Sequence, residues 1–357
     1  MTHLNKFISE LQSKGFDGAL ISSELNQRYL SDFNYTDGYI LVTKNESYLI
    51  TDSRYIEAAK NTVKGFTLLT APTGMLDKLS ELISDNKICK LAIEDATLPY
   101  ATFNKFASTF SGCDVVAGCS DILRDLRAQK TEDEIARIDA AQKITDAAFE
   151  HILGYINPDR TEIDVALELE FFMRKMGAES VAFDTIAVSG PSSSLPHGVP
   201  SNVKLRRGCL TMDFGAKYNG YCSDMTRTVV IGKADEEIKK VYYTVLSAQT
   251  AALEAIHGGM ACRDADEVAR KIIRDAGFGA NFGHSLGHGV GMFIHEFPSL
   301  APRADAASLL KPGHIVTVEP GIYLEGKYGC RIEDMIAIKE DGSVYNFTKS
   351  PKNLIEL

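Results

Sequence analysis

The chain has no apolar run that approaches the ~20 residues a membrane-spanning helix needs. Its start, Met1-Thr2-His3-Leu4-Asn5-Lys6-Phe7, lacks the apolar core of a secretory signal. No Cys-x-x-Cys pair occurs, and the seven cysteines are odd in number and scattered. They do not read as a disulfide framework. A reducing, cytoplasmic compartment fits best, with most of them serving as small buried hydrophobes. Positive charge is in deficit too. A net charge of −10 argues against nucleic acid or an anionic membrane as the main partner. There is no low-complexity segment and no long flexible linker.

What remains has the balance of a globular protein, with 45% apolar and 24% charged residues. Its 357 residues suffice for two domains, each with a core of its own. In the first part, Phe7 to Lys14 reads as a short amphipathic helix and Gly18 to Ser22 as a buried strand. Tyr39 to Val42 and Tyr48 to Thr51 read as a hairpin turning at Lys44-Asn45-Glu46. Leu76 to Ile83 and Lys90 to Ile93 repeat the order helix then strand, which makes an α/β layer. A boundary is expected near Asp121 to Gln129, dividing the chain into 1–123 and 124–357.

Thr131 and Glu134 then form a capping box that opens a helix ending at Asn157-Pro158. A second helix is expected from Thr161 to Met176, closed by Gly177. Strands follow at Phe183–Ser189, Cys209–Ala216 and Tyr221–Ile231. Helices at Asp235–His257 and Arg263–Ala276 precede strands at Gly313–Leu324 and Gly329–Lys339. Two helices and then an acidic hairpin, twice over, suggest a duplicated half-domain with a site between the halves. Identity between the halves is not evident, so the argument is one of organisation only.

Two acidic pairs carry the chemistry. Asp213 and Asp224 flank a turn whose midpoint falls between Tyr218 and Asn219. Glu319 and Glu333 flank a turn centred on Gly326, and Gly287-His288-Gly289-Val290-Gly291 lies between the pairs. Residues equidistant from a hairpin turn face one another with Cβ atoms about 4.5–5.5 Å apart, unless a bulge shifts the register. Carboxylates so placed on a buried face lose hydration and repel. Two divalent cations would balance four of them. Ions about 3.5–4 Å apart can hold a bridging hydroxide and polarise a carbonyl. An oxygen-rich set with one imidazole suits Mn²⁺ or Co²⁺ at least as well as Zn²⁺, with Fe²⁺ also compatible. Ordinary alternatives exist residue by residue: Asp224 as a partner of Arg227, Glu333 of Arg331, Glu319 as a turn cap, and His288 as a loop histidine.

These residues, and the segments around them, resemble the Xaa-Pro peptidases, prolidase and aminopeptidase P, of the pita-bread-fold metallopeptidases. The likeness runs over essentially the whole chain. Asn26 to Leu30 and Thr51 to Tyr55 are similar to the creatinase-type N-terminal domain. Denser matches are Ser189-Gly190-Pro191 through Pro196-His197-Gly198, Asp213-Phe214-Gly215, Ser223 to Thr228, Gly287 to Gly291, His295 to Pro298, Val318 to Tyr323 and Arg331 to Asp334. The resemblance implies an α+β pita-bread catalytic domain behind a smaller α/β domain. It implies that Asp213, Asp224, His288, Glu319 and Glu333 ligate two divalent ions, and that Glu319 shuttles a proton between the nucleophilic water and the leaving nitrogen. His197, His284 and His295 match histidines that line the substrate site, and the resemblance implies that two of them hydrogen-bond the scissile carbonyl and the oxyanion. Arg331 would orient a ligand carboxylate. Tyr221 borders the same pocket in this reading, or else packs within its hairpin.

Two departures stand out. Gly208-Cys209 replaces a frequent Gly-Asp, outside the ligand set. In Ser299-Leu300-Ala301-Pro302-Arg303, Arg303 is the candidate for holding the free carboxylate of a two-residue substrate, as some dipeptidases do, or is a plain loop arginine. The expected activity is Xaa-Pro dipeptidase, with aminopeptidase P as the alternative, acting on short peptides with proline second. The resemblance also implies a homodimer. Creatinase-like amidinohydrolases lack the metals, and methionine aminopeptidase normally lacks this N-terminal domain. An inactive binding protein would show a lost ligand or a lost His295, and neither is lost.

Overall fold

The computed structural model describes residues 1–71 and 74–357. They form two units, Met1–Arg127 and Ala128–Leu357. The first unit alternates helices α1 (His3–Ser13), α2 (Glu24–Ser31), α3 (Ile56–Thr62), α4 (Met75–Asp85), α5 (Tyr100–Thr109) and α6 (Cys119–Ala128) with six strands. The strands are β1 (Gly18–Ile21), β2 (Tyr39–Thr43), β3 (Ser47–Thr51), β4 (Thr67–Thr70), β5 (Lys90–Ile93) and β6 (Asp114–Ala117), in the sheet order β4-β3-β2-β1-β5-β6. The hairpin turns where the sequence places it, with Val42 opposite Ser47. The two units divide between Arg127 and Ala128, within the stretch 121–129 and at the close of helix α6. Its Asp121 and Arg127 stand at the ends that suit the helix dipole.

The second unit opens with α7 (Glu132–Tyr155) and α8 (Glu162–Lys175). Thr131 and Glu134 close one capping box, and Thr161 and Asp164 close another. Each satisfies two N–H groups that would otherwise have no partner. Met176 and Gly177 (φ 105°) end α8. Strands β7 (Ser180–Val181), β8 (Ile186–Ser189), β9 (Gly208–Phe214), β10 (Ala216–Tyr218), β11 (Tyr221–Cys222) and β12 (Met225–Ile231) follow. Next come α9 (Glu236–Ala255) and α10 (Cys262–Ile273), then β13 (Gly287–Gly289), β14 (Glu296–Leu300), β15 (Ile315–Val318), β16 (Gly321–Leu324), β17 (Tyr328–Arg331), β18 (Asp334–Ile338) and β19 (Val344–Asn346).

The expected repetition of two helices and a broken hairpin is present. Ile152, Val165, Leu169 and Met173 of α7 and α8 pack on Leu210, Met212 and Val229 of β9 and β12. Val241, Val245, Ala265 and Ala269 of α9 and α10 pack on Val316, Ile322 and Ile336 of the second strand set. The residue before each second helix makes a matching antiparallel bridge, Thr161 with Lys204 and Ala261 with Leu309. The two halves meet through their strands. Thr228 Oγ1 donates to the Arg331 carbonyl at 3.0 Å, and Thr226 Oγ1 donates to Glu333 Oε2 at 2.7 Å.

Register corrects one expectation. Tyr218 pairs with Tyr221 and Asp213 with Thr226. The turn is therefore centred on Asn219-Gly220, both at positive φ (46° and 86°), as a type I′ hairpin requires. Asp224 stands opposite Gly215 rather than Asp213. A Cβ on Gly215 would lie 1.9 Å from the Ser223 carbonyl oxygen, so no larger residue lets the strands close here. The second pair behaves as expected. Val318 faces Asp334 on one ladder and Gly321 faces Arg331 on the next, in one continuous register that sets position 319 against position 333.

Gly287 is held by the same kind of contact, since a Cβ there would lie 1.9 Å from the Thr317 carbonyl oxygen. Gly287→Ala should therefore push β13 off β15. We expect a loss of about 1–3 kcal/mol in a denaturant titration, the cost of forcing extra volume into a packed site. An unchanged midpoint would contradict this contact.

Candidate metal centre

Strand interruptions, not strand interiors, present most of the acidic groups. Asp224 lies in the break between β11 and β12, Glu319 between β15 and β16, and Glu333 between β17 and β18. Asp213 lies near the end of β9, and His288 at the centre of β13. A ligand atom from each of Asp224, His288 and Glu333 lies within 4.8 Å of the other two. His288 Nε2 is 3.5 Å from Asp224 Oδ2 and 3.4 Å from Glu319 Oε1. Asp213 joins through Arg331, whose guanidinium donates to Asp213 Oδ2 at 2.7 Å and approaches Glu319 Oε2 to 3.9 Å.

The charge balance is unfavourable as it stands. Asp224 and Glu333 are buried, and burial raises both carboxyls well above their ordinary range, with the neighbouring carboxylates adding to it. Glu319 is pushed up to about 8, first by burial, with Arg331 opposing and Asp213 reinforcing. Among the described residues, Arg331 is the only Lys or Arg that lines the group. Asp213 Oδ1 and Glu333 Oε1 are buried with no hydrogen-bond donor. His288 Nδ1 lies 3.1 Å from the Gly289 carbonyl, to which it donates, so Nε2 carries a lone pair towards two carboxylates. Acceptors turned on acceptors in a buried space are costly, and cations between them remove the cost. The donor set therefore fits divalent metal ions, with carboxylate oxygens predominating over one imidazole.

The surrounding bonds fix orientation. Arg331 Nε donates to Thr226 Oγ1 at 2.9 Å, and the same hydroxyl serves Glu333. Thr317 Oγ1 donates to Glu319 Oε1 at 3.2 Å and receives the His288 N–H at 3.0 Å. Arg227 does not pair with Asp224. It is buried against Asp334 at 2.8 Å and also holds the Ser350 and Pro351 carbonyls. Arg331 likewise takes Asp213, not Glu333, as its bonded partner.

One cavity of about 510 Å³ gathers Asp213, Asp224, His288, Glu319, Glu333, Arg331, His197, His284 and His295. His295 stacks edge-on against His288, with ring centroids 4.4 Å apart. Burial lowers its pKa, Asp213 opposes this, and His197 adds to it. His284 departs from the expected donor role, because both its ring nitrogens are engaged. Arg331 donates to Tyr323 Oη at 2.7 Å, so that hydroxyl gives its own proton to His284 Nε2 at 2.9 Å. His284 Nδ1 then donates to the Ser285 carbonyl at 2.8 Å. Burial pushes this imidazole down to about 4, so it is neutral near pH 7.

Two expected residues fall outside. Tyr221 is buried with its hydroxyl on Glu134 Oε1 at 2.6 Å, tying the β10–β11 hairpin to α7, and does not line the cavity. Arg303 is exposed in a turn and does not line it either. Sequence reasoning passed over Tyr323 and Thr226 as site residues. Both lay inside quoted motifs, within four residues of a proposed ligand. It also passed over Phe183, Asp184 and Ile186, which line the wall.

Comparison with known proteins supports the same direction. The model of metallopeptidase family M24 matches residues 136–340, and that of the Creatinase/Prolidase N-terminal domain matches residues 3–129. The chain is 37% identical to an Xaa-Pro dipeptidase of Pyrococcus furiosus over 99% of both chains. Among solved structures it is similar to an Xaa-Pro dipeptidase from Bacillus anthracis (TM-score 0.95, 42% identity, 99% of both chains). It is also similar to an X-Pro aminopeptidase from Thermotoga maritima (TM-score 0.90, 39% identity, 96% of this chain and 98% of the other). Among the described residues, no helix is long and apolar enough to cross a membrane.

Proposed function

The chain belongs to metallopeptidase family M24, and from that premise we propose that it hydrolyses the bond between a first residue and a following proline, as an Xaa-Pro dipeptidase. The observation that carries the proposal is the convergence of four carboxylates and His288 on one cavity with an apolar wall. Asp213, Asp224, His288, Glu319 and Glu333 would hold two divalent ions, Mn²⁺ or Co²⁺ by donor type. Ions so bound polarise the scissile carbonyl and acidify the attacking water.

The chain's own residues do the rest. A Glu319 carboxylate oxygen takes the proton of the attacking water and delivers it to the prolyl nitrogen. His295 and His197 face the same space and donate hydrogen bonds to the scissile carbonyl as it becomes an oxyanion. Arg331 fixes one oxygen of Asp213 and leaves the other for a ligand. Tyr323 and His284 hold that guanidinium from behind. Phe183, Ile186, Val199, Pro200 and Ile294 offer the prolyl ring apolar side chains to pack against. The scattered cysteines support a cytoplasmic setting, and the family resemblance supports a homodimer.

One observation favours a second reading. Among the described lining residues Arg331 is the only Lys or Arg, and it is bound to Asp213. No free guanidinium waits for a dipeptide's carboxylate. That favours aminopeptidase P, which releases the first residue from longer peptides. Hydrolysis of Ala-Pro beside Ala-Pro-Ala, with Mn²⁺ and with EDTA, separates the readings. Metal-dependent cleavage of the dipeptide alone supports the dipeptidase, and preference for the tripeptide supports the aminopeptidase. Equal cleavage with and without EDTA defeats both.

A further inference from the structure

Five of the seven cysteines are buried, as the sequence suggests, and two are not. Cys89 is exposed and Cys113 is half-buried. Cys89 directly precedes β5, and Cys113 directly precedes β6. The two strands run parallel, with Lys90 opposite Asp114 and Leu91 opposite Val115. The Asp114 N–H donates to the Cys89 carbonyl at 2.7 Å, so the ladder continues to the cysteines and sets them side by side. Side chains alternate along a strand, which puts Cys89 on the face of Leu91 and Cys113 on the face of Val115. Leu91 and Val115 belong to one hydrophobic cluster, and Cys113 packs against it. The cysteines therefore share a face as well as a position.

The spacing suits a covalent bond. Adjacent strands lie about 4.8 Å apart. A disulfide takes Cα atoms about 4.4–6.8 Å apart, so rotation of the two side chains is enough to close one. Each sulfur makes a long, weak contact with a backbone carbonyl, Cys89 Sγ with Lys87 at 3.8 Å and Cys113 Sγ with Asp114 at 4.0 Å. The thiols also sense one another. Burial pushes the Cys113 thiol up to about 11, a Leu91 N–H opposes this, and Cys89 adds to it. Carboxylates stand close by, since Asp17 Oδ2 accepts the Cys89 N–H at 3.2 Å. A neutral reagent reaches this place more easily than an anionic one.

We propose that Cys89 and Cys113 form a modification site, a dithiol that closes to an intramolecular disulfide on reaction with a small, neutral dialkyl disulfide. In the first step the exposed Cys89 thiolate bonds to one sulfur of the reagent, whose S–S bond breaks, and one thiol leaves. In the second, Cys113 loses its proton to water and its sulfur bonds to Cys89 Sγ. The mixed disulfide breaks and the second thiol leaves. Two cysteine thiols are oxidised, and one reagent disulfide is reduced to two thiols. In a reducing compartment the pair rests as the dithiol, and the bond is a transient response to oxidant. The site lies wholly within the first unit and is independent of the Xaa-Pro reading.

The test treats folded, full-length protein with hydroxyethyl disulfide, blocks the remaining thiols with iodoacetamide in denaturant, and maps the peptides by mass. The expected product is a peptide pair linked through Cys89 and Cys113, with the five buried cysteines carrying only the blocking group. Dithiothreitol should reopen the link. Cys113→Ser should lose the linked product and hold a lasting mixed disulfide at Cys89. Cys89→Ser should lose the linked product and react more slowly, because the sulfur left is the half-buried one. A mixed disulfide that persists at Cys89 of the wild type with no link overturns the proposal. So does a link from Cys89 to any other cysteine, or two thiols that both stay free.

Discussion

Glu319→Gln should lower kcat on an Xaa-Pro peptide by about 10²–10⁴-fold, the range that positioned general acid–base groups supply. The amide keeps the shape of the side chain and accepts from Thr317 through its oxygen, but it does not take a proton from water. Its effect on stability should run the other way. Glu319 lies 3.4 Å from His288 Nε2, and its carboxyl is pushed up to about 8, chiefly by burial, although 15% of the side chain still faces the cavity. Removing that charge relieves repulsion when no metal is present. Metal-free Glu319→Gln should therefore melt no lower than metal-free wild type at pH 8. Activity measured at saturating metal, beside melting curves in EDTA, checks both halves. Retention of wild-type kcat would remove Glu319 from the proton path.

Removal of metal should cost stability in a pH-dependent way. The folded-state pKa values of Glu319, Asp224 and Glu333 all lie above their unfolded values, through burial first and mutual repulsion second. A carboxyl raised on folding favours the fold while protonated, below its unfolded pKa, and that contribution disappears as pH rises through the folded pKa. For Glu319 the window runs from its ordinary 4.5 to about 8. The metal-free protein should thus lose stability across this window. Metal-loaded protein is spared, because its carboxylates are neutralised by the ions. The gap in unfolding free energy between Mn²⁺-loaded and EDTA-treated protein should widen from pH 5 to pH 8, reaching on the order of a few kcal/mol. A gap that is constant with pH, or that narrows, would contradict this account of the cluster.

The sequence reveals the two acidic pairs and the repeated order of elements, and the reasons are local. Gly326 lies midway between Glu319 and Glu333, so counting from the turn gives the observed register. The same counting misplaces Asp224 by two residues. Asn219-Gly220, the strongest short hairpin signal in the segment, shifts the centre of the turn. The strand breaks beside Asp224, Glu319 and Glu333 leave no mark in the apolar pattern. Val318 and Gly321, or Arg331 and Asp334, read as one strand although the ladder changes partner between them.

Long-range bonds are equally silent. Nothing near Tyr221 indicates that its hydroxyl meets Glu134, and nothing near Arg227 indicates that it meets Asp334. The His284 tautomer follows only once the bonds through Tyr323 are seen. In the first unit, α2 and α3 escape notice because eight and seven residues give too few turns for a periodic stripe.

The most direct test of the central claim is a titration of EDTA-treated protein with Mn²⁺, following bound metal and Ala-Pro-Ala hydrolysis in the same samples. The account predicts no hydrolysis without metal and two ions bound per chain at saturation, the second lost in Asp224→Asn. Full hydrolysis by the metal-free protein, or two ions still bound after Asp224→Asn, would contradict it.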